Sequence, residues 1–223
     1  MMLGLLAAGA AAATAQLPAS APIALPDYEG SDAFVFSDGR VERVVGSSGN
    51  TVIWSGLSGS PYTRRRNFIV PVLSWRSGRG TGSREVHGNP DALWPMARPR
   101  SVRFRVVSET RASPEAALKR SVALWVCKSG KLRSFTVKAG IFDAVPVVCD
   151  RYSSTTMRLI ERREWDYAPE LGHYIRRVSL NYLRGSKREV ELVAALSGPA
   201  ASPARLSALS RQALAERVPA RRP

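Results

Sequence analysis

The sequence predicts a mainly β protein: a single curved antiparallel sheet or half-barrel, with a short C-terminal helix or a disordered tail. Three observations carry this. Apolar and polar residues alternate clearly from residue 102, with Val102, Phe104 and Val106 on one face and Arg103 and Arg105 on the other. Short turn signals separate the runs that follow, at Ser129-Gly130, Ala139-Gly140, Pro169–Gly172 and Gly185-Ser186. The chain has 223 residues, 44% of them hydrophobic, which suits one domain with a real core. Successive strands joined by short turns argue for an antiparallel sheet, curled or closed.

Taken in order, the first fifteen residues are apolar, rich in small side chains and uncharged. Ala13-Thr14-Ala15 is an A-x-A site, so 1–15 reads as a signal peptide and the chain as exported to the periplasm or cell envelope. The run is too short for a span, which needs about 20 residues. No cysteine follows the site, so no thiol-linked lipid anchor is expected. Residues 16–26, rich in Pro and Ala, read as a linker. The β domain is expected over 27–196. Asp38-Gly39 lies between two β-rich runs, a strong hairpin signal. "NTVIWSG" at 50–56 reads as a third strand. Residues 56–101 are rich in Gly, Pro, Ser and Arg. A short strand broken by Pro71 is expected there, then a long surface excursion over 77–99. "SPEAALKR" at 113–120 reads as a short helix, with Ser113 as its cap and Pro114 in its first turn. Strand patterns then run to residue 196. The tail, 197–223, holds five arginines against one glutamate. A helix is expected over 203–217, with Leu206, Leu209 and Leu214 on one side.

Two cysteines, Cys127 and Cys149, would meet an oxidising compartment after export. A bridge closing about 23 residues would stabilise by roughly 3 kcal/mol in the chain-entropy model. A simple meander of 122–127, 132–138 and 145–150 would put the thiols on its first and third strands. They would then lie about 9–10 Å apart, beyond bridging distance. Either the first and third segments are direct neighbours or the thiols stay free; the bridge is the expectation.

The stretches "VKAGIFDAVPVVCD" (137–150) and "WDYAPELGHYIRR" (165–177) resemble motifs of uncharacterised exported proteobacterial proteins. Those motifs run V-x-A-G-x-F-D, here at Val137, Ala139, Gly140, Phe142 and Asp143, and Y-A-P-E-x-G-x-Y, here at Tyr167 to Tyr174. Leu93–Pro95 and Phe36–Gly39 fit the same pattern. The resemblance implies a curved antiparallel sheet like lipoprotein-carrier half-barrels, in an envelope compartment, and brings no catalytic residues.

Charge is one-sided: 33 Lys and Arg against 18 Asp and Glu, a net of +15. The implied partner is anionic, an acidic envelope lipid or polymer, with nucleic acid disfavoured by export. Much of the charge reads as the wet face of strands, as with Arg103, Arg105, Arg176 and Arg188. That reading does not cover the consecutive Arg64, Arg65 and Arg66, which lie between aromatics. These three, with Trp165, Tyr167 and Tyr174, are the candidate binding residues. The 165–177 stretch has a structural reading as a strand–turn–strand corner, Pro169 and Gly172 reversing the chain. Its chemical reading makes His173 a base oriented by Glu170 or Asp166. No nucleophile is identifiable. His87, Cys127, Cys149 and His173 lack metal-ligand spacing. "SGRGTGSRE" at 77–85 lacks the phosphate-loop pattern, so no cofactor is expected. The preferred function is a non-enzymatic periplasmic binding or structural protein for an apolar envelope molecule or an anionic envelope polymer. The alternatives are an envelope hydrolase centred on His173 with Glu170, and a charge-driven membrane-surface adaptor using Arg64–Arg66 and the tail.

Overall fold

A computed structural model describes residues 22–78 and 80–217; the signal-peptide reading lies outside them. The strands are β1 (Ala33–Phe36), β2 (Val41–Ser48), β3 (Thr51–Ser55), β4 (Pro61–Arg65), β5 (Ser74–Ser77), β6 (Gly80–His87) and β7 (Ser101–Arg111). They continue as β8 (Lys119–Ser129), β9 (Arg133–Val137), β10 (Gly140–Ser153), β11 (Leu159–Ala168), β12 (His173–Asn181) and β13 (Ser186–Leu196). One helix, α1 (Pro203–Arg217), follows.

Pairing between β10 and β11 closes the sheet, so the fold is a barrel and the open half-barrel expectation is corrected. Twelve strands form the ring, all antiparallel, and β9 lies outside it, paired only to the start of β10. Closure removes the two edges an open sheet would expose. A barrel of about eight strands is filled by its own side chains, and a wider one leaves room. Here two inserted segments use that room. Phe68, Ile69 and Val70 follow β4, and Leu93, Trp94 and Met96 precede β7; all are buried in the same core as the inward side chains of the strands. The residues read as the end of a linker also reach this core, through Ile23 and Leu25, and Tyr28 is buried within it.

The strands read from 102 onward are present, with Val102, Phe104 and Val106 turned inward. Three strands went unread: β4, β5 and β6 occupy 61–65, 74–77 and 80–87, so 77–99 is not a surface excursion. No helix forms over 113–120, where residues 112–118 make turns before β8 begins at Lys119. Eight residues are too few to offset helix nucleation without a packing face.

The cysteine question is resolved by β10. It is fourteen residues long and changes partner: Gly140–Ala144 pair with β9, and Val147–Ser153 pair with β8. Pro146, which has no N–H to donate, sits between the two pairings. The first and third segments are therefore neighbours. Cys127 and Cys149 face each other with Cα atoms 4.0 Å apart and form a disulfide.

Helix α1 lies outside the ring. Its Leu206 packs with Ala33, Val35 and Val41 on the outer face of β1 and β2, and Leu209 packs beside them. Leu214 is exposed. Ser210 Oγ donates to the Gly39 carbonyl, tying the helix to the β1–β2 turn. Elsewhere the outer wall carries charge, as at the exposed Arg103 and Arg105. An apolar inside and a charged outside are the reverse of an outer-membrane barrel. No helix among the described residues is long and apolar enough to cross a membrane.

Candidate functional site

Up-and-down connectivity places alternate turns at alternate ends. The turns after β1, β3 and β5 share one end, the mouth. The insertions around Phe68 and Trp94 and the Pro169–Gly172 turn share the other, plugged end. The candidate site is built from the mouth inward.

A carboxylate sits at its centre. Val41 faces outward under α1, so alternation turns Glu42 inward, where it is fully buried. Tyr174 Oη donates to it, 2.9 Å from either carboxylate oxygen. Arg64 approaches in parallel, Nη1 at 3.2 Å from Oε2 and Nη2 at 3.4 Å from Oε1. Arg40 Nε lies 3.4 Å from Oε1. His173 Nε2 faces Oε2 at 3.4 Å, the long edge of hydrogen bonding. The other ring nitrogen, Nδ1, lies 2.9 Å from Tyr28 Oη. A proton on Nε2, directed at Glu42, leaves Nδ1 to accept from Tyr28. Burial pushes the Glu42 carboxyl up, but Arg64, Arg40 and His173 outweigh it and hold its pKa well below 4.5. For His173 burial wins over the attraction of Glu42, and its pKa lies below 6.5, so the ring is neutral.

This arrangement settles where the predicted site residues go. His173 is 1% exposed and stacked on Phe34 with ring centroids 3.9 Å apart, leaving no room for a reacting molecule. Its carboxylate partner is Glu42, not Glu170. Glu170 is exposed and lines a separate groove of about 530 Å³ with Ile141 and Asp143, in which His173 has no part. The hydrolase built on His173 with Glu170 is therefore corrected. Trp165, Tyr167 and Tyr174 are core residues: Phe68 stacks on Tyr167 at 5.2 Å and meets Trp165 edge-on at 5.7 Å. The three consecutive arginines are not one patch. Arg64 points inward to Glu42, strand alternation sends Arg65 to the other face, and Arg66 bonds Asp27 and the Gly49 carbonyl. Among the described residues, aromatic side chains and the two insertions occupy the interior in which an apolar ligand was expected.

A cleft of about 440 Å³ opens at the mouth. Arg40, Glu42 and Arg64 form one wall, and Trp75, Arg76 and Arg84 the other. Tyr62 lies between them, with the Arg64 guanidinium 5.2 Å from its ring centroid. Ser58 and Ser60, from the turn after β3, and Ser77, the last residue of β5, also line it. Arg84 is held firmly. Nη1 donates to the Val72 carbonyl at 2.7 Å, Nε to Ser108 Oγ at 3.2 Å, and the guanidinium lies 4.3 Å from the centre of the Trp75 ring. The indole can cover this strand because its partner is Gly82: a Cβ there would come within 2.2 Å of the ring. Behind Arg84 is a second cavity of about 30 Å³, lined also by Ser108, Arg151 and Arg163. Glu161 bonds both of these arginines, Arg163 at 2.6 Å and Arg151 at 3.5 Å. Arg84 forms no ion pair with any described carboxylate. Burial and the nearby Arg163 and Arg151 lower its pKa to about 10.

Glu42, Arg40, Arg84, Trp75 and Tyr62 were not among the predicted site residues. Glu42 was not singled out, because nothing in the sequence near it marks an inward carboxylate. Arg84 lay in the stretch expected as a surface excursion, and Trp75 at the end of the stretch expected to hold a short strand broken by Pro71.

The fold and the cleft together define a class: a closed, filled antiparallel barrel with a basic aromatic cleft at one end. No family model and no curated protein matches the chain. Among solved structures it is similar to the hypothetical lipoprotein YmcC from Escherichia coli, at 7% identity and TM-score 0.47, over 74% of this chain and 83% of that one. A candidate exported protein with YmcC-like fold from Bacteroides fragilis gives 11% and 0.39, over 79% and 100%. A candidate lipoprotein from Parabacteroides distasonis gives 12% and 0.32, over 78% and 99%.

Proposed function

We propose that this protein is a non-enzymatic binding protein of the cell envelope that holds an anionic ligand in the cleft at the barrel mouth. The observation that carries the reading is Arg84: a guanidinium fixed by a carbonyl, a hydroxyl and an indole, facing a cleft, with no described carboxylate in an ion pair with it. A buried charge without a counter-charge costs stability, and an anion in the cleft supplies the missing partner. Guanidinium groups favour oxyanions through paired, charge-assisted hydrogen bonds. The cleft volume falls within the range of small-ligand sites, roughly 300–1,000 Å³. The apolar leader supplies the compartment, and the net charge of +15 suits anionic surroundings.

The test is a binding series on purified, disulfide-bonded protein with polygalacturonate, polyphosphate and uncharged dextran. At least one polyanion is expected to bind, to weaken as salt rises, and to bind Arg84→Met more weakly. Binding of both polyanions no stronger than dextran refutes the reading.

A further inference from the structure

We infer that the cleft takes a short stretch of acidic polysaccharide, with one sugar carboxylate on Arg84 and neighbouring sugar hydroxyls along the serine rim. This deepens the anion-binding reading and rests on it. Three features of the lining select the class.

The first is the sparseness of free positive charge. Arg40 and Arg64 line the cleft but converge on Glu42, whose carboxylate lies in the same wall. A ligand whose charges lie close together, as along a phosphate chain, would bring some of them against Glu42, at the cost of like-charge repulsion. Arg84 is the cation at depth that no described carboxylate pairs, the nearby Glu161 being engaged by Arg151 and Arg163. One carboxylate per ring, with uncharged hydroxyls between, matches that distribution better than a phosphate chain or a nucleic acid.

The second is the neutral polar rim. Ser58 and Ser60, from the turn after β3, present hydroxyls beside the arginines, and Ser77 ends β5 at the same rim with its hydroxyl donating to the Gly80 carbonyl. A hydroxyl both donates and accepts, so it complements another hydroxyl. The third is the aromatic content. Tyr62 and Trp75 give the cleft apolar surface against which the C–H face of a ring can lie. An acyl chain would need a longer apolar channel, and the core beyond the cleft is filled by Val52, Trp54 and their neighbours.

The experiment is calorimetric titration of the full folded chain with trigalacturonate, maltotriose and tripolyphosphate. Trigalacturonate is expected to bind at least about tenfold more tightly than maltotriose, the size of effect a charge-assisted hydrogen bond gives. Arg84→Met is expected to lose a similar factor for trigalacturonate, and Trp75→Ala to weaken both sugars. If either variant fails to fold, Arg76→Ala at the exposed rim serves instead, with weaker trigalacturonate binding expected and unchanged binding counting against the inference. Tighter binding of tripolyphosphate than of trigalacturonate overturns the saccharide class while leaving an anion site in place. Equal binding of trigalacturonate and maltotriose overturns this inference; if tripolyphosphate then binds no more tightly than they do, or if none of the three binds, the anion reading falls with it.

Discussion

Replacing Glu42 with Ala tests the centre of the molecule. Its carboxylate accepts from the Tyr174 hydroxyl and the Arg64 guanidinium, and Arg40 and His173 lie within 3.4 Å. Removing it strands a guanidinium whose side chain is 14% exposed and a buried phenol. Breaking a buried ion pair by deleting one partner costs about 3–5 kcal/mol. An orphaned buried hydroxyl costs about 1–3 kcal/mol. The two do not simply add, since both groups served one carboxylate. Arg64 also lines the cleft and can turn toward water, which favours the lower part of the range. The expected loss is therefore about 3–4 kcal/mol. Glu170→Ala is the control: that side chain is exposed, and its loss is expected to change stability by no more than about 0.5 kcal/mol. The assay is urea unfolding with the disulfide intact, followed by tryptophan fluorescence, stability being taken from midpoint and slope. A Glu42→Ala cost below about 1 kcal/mol, or a Glu170→Ala cost of equal size, refutes the assignment of Glu42 as the partner that the buried groups require.

Two further outcomes are expected from the same assay. The double substitution of Cys127 and Cys149 by Ser should cost roughly 3 kcal/mol in the chain-entropy model; no change in the urea midpoint would mean that pairing of β8 with β10 already restrains the unfolded chain. Stability should also fall with acid in two windows. His173 has a lowered pKa because burial disfavours its cation, so the unfolded chain binds the extra proton first; the stability it contributes is present above pH 6.5 and drains below it. Glu42 is lowered as well, its arginines and His173 outweighing burial, so its contribution is present above pH 4.5 and is lost below it. A pH–stability curve flat from 7 to 5 contradicts the first window.

The sequence was readable where barrel and pattern obey one rule. Along β7 the inner residues are apolar and the outer ones charged, and alternation reads directly. Along β4, β5 and β6 the inner positions are Tyr62, Arg64, Trp75, Gly82 and Arg84, because these strands line a wet mouth. The inner face then mixes aromatic, charged and small residues, apolar–polar alternation vanishes, and three strands go unread. At β2 the rule is inverted: α1 covers the outer face, so Val41 is buried outside and Glu42 inside. Nothing near residue 42 announces a helix that arrives at 203. The cysteine pairing was open for a related reason, since the partner change along β10 depends on contacts between distant segments. His173 was correctly singled out as unusual, but sequence proximity suggested Glu170, and the barrel brought Glu42 from 131 residues away.

If Arg84 is kept for its ligand, its presence should be a burden in the empty protein. Its guanidinium is partly desolvated, faces Arg151 and Arg163, and forms no ion pair with a described carboxylate, the nearby Glu161 being held by those two arginines. Its two hydrogen bonds, to Val72 and Ser108, offset some of that cost. Replacing a buried charge by an apolar chain of similar length is often neutral or stabilising, by up to about 4 kcal/mol. The acceptors left behind reduce the gain, so Arg84→Met is expected to leave the unliganded protein as stable as before, or more stable by roughly 1 kcal/mol. The same variant should lose binding. Stability and function would then move in opposite directions at one residue, as expected where a local rule is broken for the sake of a site. A structural arginine gives the other pattern: Arg84→Met would cost several kcal/mol in urea, and added trigalacturonate would stabilise the native protein no more than maltotriose does. That result would mean the cation serves the fold, and the cleft beside it would need another explanation.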